Sequence, residues 1–417
     1  MTSSVIIRRC RWQRAADIPT RTVSSTKQKL LVVEENEPHY HQQRHKSSPL
    51  LTNNNELTAI VNSFPATGVE YAFGYGSGVL KQQSSSPGMV DIILAVDDPY
   101  SWHKHTLQSH YSHHYSGFAK LGPSFVHWMQ NIGARVYFHP FVDIDLNVIN
   151  DGSDDDDDAA TTNHPTTIQR EIKYGVVSTD DLIEDLTCWK YLYLAGRMHK
   201  PTVEIDLYTT SSEEDEERII QAQEVVNFRR DEIGEAQQKN LLAAVSASIL
   251  LHGGRGGNNE DTALPIVLLY NTIAGISYAG DIRMQTGAED PNKVKKLVET
   301  PGMHVLWDNL YSTIFSNMQS SGILTKDEVK VELDFNDVAM RKQLVQNLPQ
   351  RLQSDKIVGV ANNKDSILKG SEVLRAELAN IVAPAAKSQS IKGFFSAGVS
   401  KSFKYAMAKL AKGRLKK

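Results

Sequence analysis

Between Gly74 and Asp98 the chain places side by side two residue groups that triphosphate chemistry requires. Gly74-Tyr75-Gly76-Ser77-Gly78 is a small-residue turn; Met89-Val90-Asp91-Ile92-Ile93-Leu94-Ala95-Val96, followed by Asp97-Asp98, is an apolar run with acids at both ends. Glycines keep backbone N–H groups open to phosphate oxygens, and a serine adds a hydroxyl. Magnesium needs oxygen ligands and uses one or two carboxylates plus the phosphates themselves. Ser77 and Asp91 supply both halves of that arrangement and are the candidate catalytic pair. A glycine turn alone suits a tight hairpin equally well. The run Ile92 to Val96 shifts the balance, because it reads as a strand buried on both faces.

The elements expected to carry these residues follow from periodicity. Leu57 to Val61 is a short helix or strand ahead of the turn, and Arg135 to Val142 reads as a strand stopped by Pro140. Ser178 with Asp181 forms a capping box that opens a helix with Leu182, Leu186, Trp189 and Tyr193 at helical spacing, expected to end near Gly196. Arg197-Met198-His199-Lys200-Pro201 then leads into a strand over Thr202 to Leu207. Helical periods return over Ile219 to Leu251, Pro265 to Ser277 and Glu289 to Phe315, which predicts a second, mainly helical domain. The histidines around His103 to His114, with Tyr115, match no common zinc spacing and read as donors to phosphate or base.

The whole chain bounds the rest. Its 417 residues allow two or three domains, and a net charge of −4 provides no global field toward nucleic acid. Arg8, Arg9, Arg11, Arg14 and Arg21 face the single acid Asp17, a composition resembling a mitochondrial transit peptide; polar residues follow, so 1–55 reads as leader and connector. Asp154 to Asp158, within 150–167, reads as a solvated insertion. Cys10 and Cys188 are the two cysteines, which excludes a disulfide framework and a four-thiolate zinc site. Nothing approaches the roughly 18–20 consecutive apolar residues of a membrane span, so membrane contact is expected to be peripheral. After Glu377 there is no acid, and Phe395, Val399, Phe403, Met407 and Leu410 form one helical stripe with Lys401, Lys404 and Lys412 opposite. That pattern suits an anionic membrane surface, with Phe394, Phe395, Phe403, Lys401 and Lys404 as the contacts.

Several blocks together resemble a known family. Gly76-Ser77-Gly78, Asp91 through Asp97-Asp98-Pro99, Trp102-His103, His114-Tyr115-Ser116, Lys173-Tyr174-Gly175-Val176, Asp185-Leu186, Trp189, Ala195-Gly196-Arg197, Lys200-Pro201 and Ser277-Tyr278-Ala279-Gly280-Asp281 with Arg283-Met284 are similar to the mitochondrial phosphatidate cytidylyltransferases. These are also called mitochondrial translocator assembly and maintenance proteins. The resemblance covers roughly residues 56 to 315 and returns over Ser390 to Lys417.

It implies an α+β chain: a nucleotidyltransferase-fold domain (56–210, a mixed sheet with flanking helices), a helical, winged-helix-like domain (218–350), and a linker with a basic amphipathic tail (351–417). It implies CTP and phosphatidate as substrates, CDP-diacylglycerol and diphosphate as products for cardiolipin synthesis, and peripheral attachment to anionic lipids on the matrix side of the mitochondrial inner membrane. Gly76, Ser77, Gly78, Lys173, Arg197 and Lys200 are then the nucleotide-binding candidates, Lys173, Arg197 and Lys200 being equally suited to the lipid phosphate. Asp91 would hold magnesium. The position two residues on, where this type of site usually has a second acid, is Ile93, so Asp97, Asp98 and Asp185 are the remaining candidate ligands. Asp281 and Arg283 either close the cleft from the helical side or pair with each other. The rival readings are a nucleotidyltransferase acting on RNA or protein, against which no aromatic-and-basic nucleic-acid surface is evident, and a non-catalytic assembly factor for inner-membrane protein import. A homodimer stays open.

Overall fold

Alternation along the strands gives the central sheet two buried faces. The computed structural model describes residues 54–65, 68–80, 88–148, 166–207, 216–252, 263–285, 289–362 and 367–414; the expected leader and acidic insertion lie outside them. Helix α1 (Asn54–Asn62) precedes β1 (Val69–Tyr75), and β2 (Val90–Val96) pairs antiparallel with it. Helices α2 (Pro99–Gln108) and α3 (Pro123–Gln130) lead into β3 (Tyr137–Val148) and β4 (Thr166–Ser178). β4 lies parallel to β2, and the mixed order β3-β4-β2-β1-β5 closes with the two-residue β5 (Val203–Glu204), shorter than the strand expected over 202–207.

On one face Ile92 and Leu94 of β2 join Ala72, Tyr174 and Val176 against Leu57 and Ile60 of α1 and Trp102 of α2. On the other, Ile93 and Ala95 join Phe73, Phe138 and Val177. This second core continues through α4 (Thr179–Cys188), α5 (Ala195–Met198) and the long α6 (Glu216–His252). Both cores are apolar, which explains why β2 lacks a polar face. Asp91, at its entry, stands on the second face in a row with Tyr75 of β1 and Lys173 of β4.

Two local expectations are corrected. β3 does not stop at Pro140 but passes it through an irregularity between His139 and Val142, with Phe141 at φ 57°, so the ladder forgoes pairing where proline has no N–H to give. The Ser178 cap forms, its hydroxyl accepting the Asp181 N–H at 3.1 Å, yet α4 ends at Cys188, eight residues before Gly196. Trp189 turns left-handed at φ 49° and is fully buried, its indole N–H donating to Asn240 Oδ1 at 2.8 Å. Burial of the indole outweighs the strain of that conformation.

The C-terminal half is helical with a small second sheet. β6 (Ala263–Pro265), α7 (Ile266–Ile276), α8 (Ile282–Gln285), α9 (Lys293–Glu299) and α10 (Met303–Ser320) follow, the last two separated at Pro301-Gly302 where one helix was expected. β7 (Thr325–Lys326) and β8 (Lys330–Glu332) complete a sheet of order β6-β8-β7. Stacked Tyr270, Trp307 and Tyr311 extend the second core into this half.

After α11 (Val338–Gln346) and α12 (Asp355–Asn362), α13 runs from Ile367 to Arg414 through Pro384. The stretch expected as a linker is therefore largely helical, with Leu374, Leu378, Ile381 and Val382 in the core. Phe395 packs edge-on to Phe118 at 5.2 Å, and its carbonyl accepts the Ser116 hydroxyl at 2.7 Å, so it faces the protein's own surface layer. The side chains of Phe394, Lys401, Phe403 and Lys404 lie outside those described. Among the described residues no helix is long and apolar enough to cross a membrane.

Candidate active site

The turn after β1 closes on itself, because the N–H groups of Val79 and Leu80 both donate to the Gly76 carbonyl, at 3.2 and 2.9 Å. Gly76 sits at φ 81°, and a Cβ there would lie 3.2 Å from Asp91 Oδ2. A Cβ on Gly78 would lie 2.0 Å from the Met89 carbonyl oxygen, so the turn can reach the start of β2 only without side chains. Ser77 is exposed between them. Lys173 Nζ donates to Asp91 Oδ1 at 3.2 Å and lies 4.7 Å above the Phe138 ring. Burial would lower the Lys173 pKa, but the oxygens of Tyr75 and Asp91 outweigh it and raise it. The ammonium is thus fixed as a cation beside the carboxylate.

Arg197 completes the group in an aromatic cage. Its guanidinium lies 3.9 Å above Tyr193, 5.2 Å from Tyr75 and 5.8 Å from Phe138, and Nη1 donates to the Tyr193 carbonyl at 2.7 Å. Among the described residues it forms no ion pair with a carboxylate. Its Nε and the Tyr75 hydroxyl are buried without a hydrogen-bond partner. Two polar groups without a well-formed hydrogen bond, beside a cation and a carboxylate, are chemically suited to an anionic ligand.

Asp185 positions Arg197 rather than joining this group. Its Oδ1 accepts from the backbone N–H groups of Tyr191 and Leu192 at 2.7 and 2.8 Å; Oδ2 accepts from Tyr193, Leu194 and Ala195 at 3.0, 2.8 and 3.0 Å. Five donors occupy a carboxylate only 3% exposed and tie the chain to the start of α5. Burial nevertheless raises its pKa, against these bonds. Asp97 and Asp98 also stand apart, at the far end of β2. Six residues of extended chain put Asp97 about 20 Å from Asp91, beyond any shared ion. Asp98 caps α2, accepting from Tyr100 and Ser101 N–H at 3.0 and 3.2 Å and from the Ser101 hydroxyl at 2.6 Å. No cluster of three or more His, Cys, Asp or Glu able to hold a metal occurs among the described residues.

Lys200 is a latch. Its ammonium donates to the Gly196 carbonyl at 2.6 Å and the Ser277 hydroxyl at 2.7 Å, and lies 4.8 Å above Tyr278. Burial, with Arg197 and Lys293 adding repulsion, lowers its pKa well below the usual value. A Cβ on Gly196 would come 2.2 Å from Ser277 Cβ, so that glycine permits the contact. Asp281 and Arg283 pair with each other, Nη2 to Oδ2 at 2.6 Å and Nε to Oδ1 at 3.1 Å.

The buried histidines work elsewhere. His103 bridges Tyr115 and Gln130 at 2.7 and 2.6 Å, His114 meets the Tyr174 hydroxyl at 2.8 Å, and His139 stacks on Tyr174, all on the sheet face opposite Asp91. Burial lowers the His103 pKa to about 4, and with both ring nitrogens engaged by Tyr115 and Gln130 this histidine has no N–H left for a phosphate. What sequence reading missed was the cage of Tyr75, Tyr193 and Phe138, and Asn240, whose Oδ1 accepts from Trp189 and meets His199 Nε2 at 2.8 Å. A lone asparagine in the apolar run of α6 was its only signal.

Residues 57–412 match the family model described as phosphatidate cytidylyltransferase, mitochondrial. Curated proteins of that name are similar along most of their length. The one from Schizosaccharomyces pombe is 31% identical over 388 residues, covering 87% of this chain and 84% of its own. That from Xenopus laevis is 32% identical over 376 residues, 85% and 93% of the two chains. That from Homo sapiens is 32% identical over 362 residues, 82% and 66%.

Proposed function

The chain belongs to the mitochondrial phosphatidate cytidylyltransferase family, and we infer that it transfers the cytidylyl group of CTP to phosphatidate, giving CDP-diacylglycerol and diphosphate in mitochondria. An oxygen of the lipid phosphate attacks the α-phosphorus of CTP. The bond from that phosphorus to the bridging oxygen breaks, and its electron pair leaves with diphosphate. A phosphomonoester is already anionic near neutral pH, its second pKa being about 6, so no activated side-chain nucleophile or strong general base is required. The protein's task is to position two anions and neutralise the charge that grows on the leaving group.

The observation that carries this assignment to residues is the Asp91–Lys173 pair beside the Gly76–Gly78 turn, with Arg197 Nε and the Tyr75 hydroxyl unpartnered next to it. In this reading the turn and Ser77 cradle the triphosphate, and Lys173 and Arg197 face the departing diphosphate. Asp91 fits magnesium, which takes one or two carboxylates and completes its shell with phosphate and water. When bound, the ion screens the phosphate oxygens and stabilises the leaving group. Lys200 and Asp185 are positioning residues here, and Asp97 and Asp98, at the far end of β2, take no part.

The mixed sheet with a glycine turn after β1 supports a nucleotidyltransferase fold, and the β6-β8-β7 sheet beside α7, α9 and α10 supports a winged-helix-like second part. Peripheral attachment to anionic lipid on the matrix side of the inner membrane, for cardiolipin synthesis, fits the lysines at 401, 404, 409 and 412 of α13. The test is magnesium-dependent diphosphate release from CTP that requires phosphatidate. Asp91→Asn is expected to lower it about a thousandfold, roughly 4 kcal/mol of barrier, with the circular dichroism melt retained. A variant turning over at the wild-type rate would remove Asp91 from the mechanism.

A further inference from the structure

From Pro99 to Val142 the chain carries no Asp or Glu, and from Leu378 to Lys417 it carries none either. These two stretches meet in the fold. The short turn Gly117–Leu121 and α3 form a corner against which α13 docks. The Phe395 ring packs edge-on to Phe118 at 5.2 Å, and its carbonyl accepts the Ser116 hydroxyl at 2.7 Å. Lys392 Nζ donates to the Val136 and Gln130 carbonyls at 2.9 and 3.2 Å, which fixes the preceding turn of α13 to the end of α3. Lys104, Lys120 and Lys387 are exposed on these stretches, while Arg135 is held by Asp181 at 2.6 Å. Neither stretch brings a carboxylate to the corner they build.

The same corner leaves large apolar side chains in water. Leu121 is 67% exposed, Trp128 58% and, on α13 one turn before Phe395, Ile391 53%. α3 does not lack a core, because its Val126 and Met129 are buried with Ala119 and Tyr137. Trp128 instead leans on half-buried Phe125, ring centres 5.7 Å apart, and gives more than half its surface to solvent. Trp102, Trp189 and Trp307 are buried, so Trp128 is the exposed tryptophan among the described residues. An indole gains much from leaving water, and here the protein's own chain does not supply that gain.

Resting on the membrane attachment proposed above, we propose that the corner of residues 117–128 is a second membrane contact, whose Leu121 and Trp128 enter the headgroup region of an anionic bilayer beside α13. Charge selects the sign of the partner, since the corner and the continuing helix with its lysines at 401, 404, 409 and 412 offer cations without acids. Apolar reach selects lipid over nucleic acid, because Leu121 and Ile391 gain from acyl chains and nothing from a phosphate. The amphipathic indole of Trp128 suits headgroup depth. A helix alone would tether the protein, whereas a second contact on a distant part of the chain fixes its tilt on the surface.

The test uses the full chain with Trp12→Phe, so that Trp128 supplies the solvent-sensitive emission, and vesicles of equimolar dioleoyl phosphatidylcholine and dioleoyl phosphatidylglycerol. Sedimentation reads binding, and quenching by brominated acyl chains reads whether the indole lies in the bilayer. The protein is expected to sediment with the vesicles, with emission shifted to the blue and quenched by the brominated lipid. Trp128→Ala and Leu121→Ser are each expected to lower vesicle partitioning about tenfold, while the rate on monomeric dihexanoyl phosphatidate stays within about twofold. Binding with an unquenched Trp128, or both variants partitioning as the parent does, leaves the contact to α13 alone and overturns the proposal. A blue shift that grows with protein concentration in the absence of lipid assigns the corner to a second copy, and one produced by a single-stranded oligonucleotide assigns it to nucleic acid; either overturns it. If the parent protein does not sediment at all, the membrane attachment itself falls and the corner contact falls with it.

Discussion

Replacing Asp185 with asparagine separates a metal ligand from a loop anchor. The carboxylate accepts five backbone N–H bonds, two on Oδ1 and three on Oδ2, between 2.7 and 3.0 Å. Asn presents an NH2 in place of one oxygen, so at least two buried donors lose their acceptor. At about 1.5–3 kcal/mol for each bond to a charged acceptor, Asp185→Asn is expected to cost about 3–6 kcal/mol. Unfolding entropy near 2.1 cal/mol/K per residue over roughly 360 residues converts this to a melting point lower by about 4–8 °C. The assay is a thermal melt combined with activity titrated against magnesium. Loosening of the 189–195 segment displaces Arg197, so kcat/KM is expected to fall at every magnesium concentration with the half-saturating concentration unchanged. An unchanged melt with a raised magnesium requirement would place the carboxylate on the ion and refute the anchor role.

Three further outcomes are expected. Gly78→Ala pushes a methyl into the Met89 carbonyl at 2.0 Å, which should open the turn and raise KM for CTP about tenfold, read from initial rates. Lys392 is 3% exposed, donates to the Val136 and Gln130 carbonyls at 2.9 and 3.2 Å, and burial lowers its pKa to about 7. The unfolded chain holds that proton up to about pH 10, so stability should rise from about pH 7 to 10 by up to about 1.4 kcal/mol per pH unit. Lys392→Met should flatten this slope in denaturant titrations, and a slope equal to wild type would count against the burial. Burial also keeps His103 neutral, with its pKa lowered to about 4. Because the unfolded imidazole binds its proton near pH 6.5, stability should decline as pH falls from about 6.5 to 4, by up to about 1.4 kcal/mol per unit, and His103→Asn should reduce that decline.

Legibility differed from residue to residue. The Ser178 cap and the apolar run of β2 were readable because each depends on neighbours within a few positions, whereas the closeness of Gly76 to Asp91, fifteen residues on, comes from the pairing of β1 with β2. Lys173 and Arg197 were readable only through resemblance, since their approach to Asp91 depends on the register of β4 against β2 and on the loop that Asp185 folds. Asp97 and Asp98 looked like partners of Asp91 because they are close in sequence. An extended strand turns that proximity into separation. The histidines looked polar and available, yet β3, α2 and α3 enclose them against Tyr174.

The amino-acid order by itself determined the strand that carries Asp91, the bare turn ahead of it, the helical second half and the cationic tail, all properties of local pattern. Tertiary structure alone decided which charges share a site: it brought Lys173 and Arg197 to Asp91, sent Asp97 and Asp98 to the opposite end, spent Asp185 on five N–H groups, and laid the Gly280 loop on α13. The reason is physical. Periodicity and turn preference act over a few residues, whereas electrostatic contact requires a few ångströms in space, and only strand register and helix packing convert the one into the other.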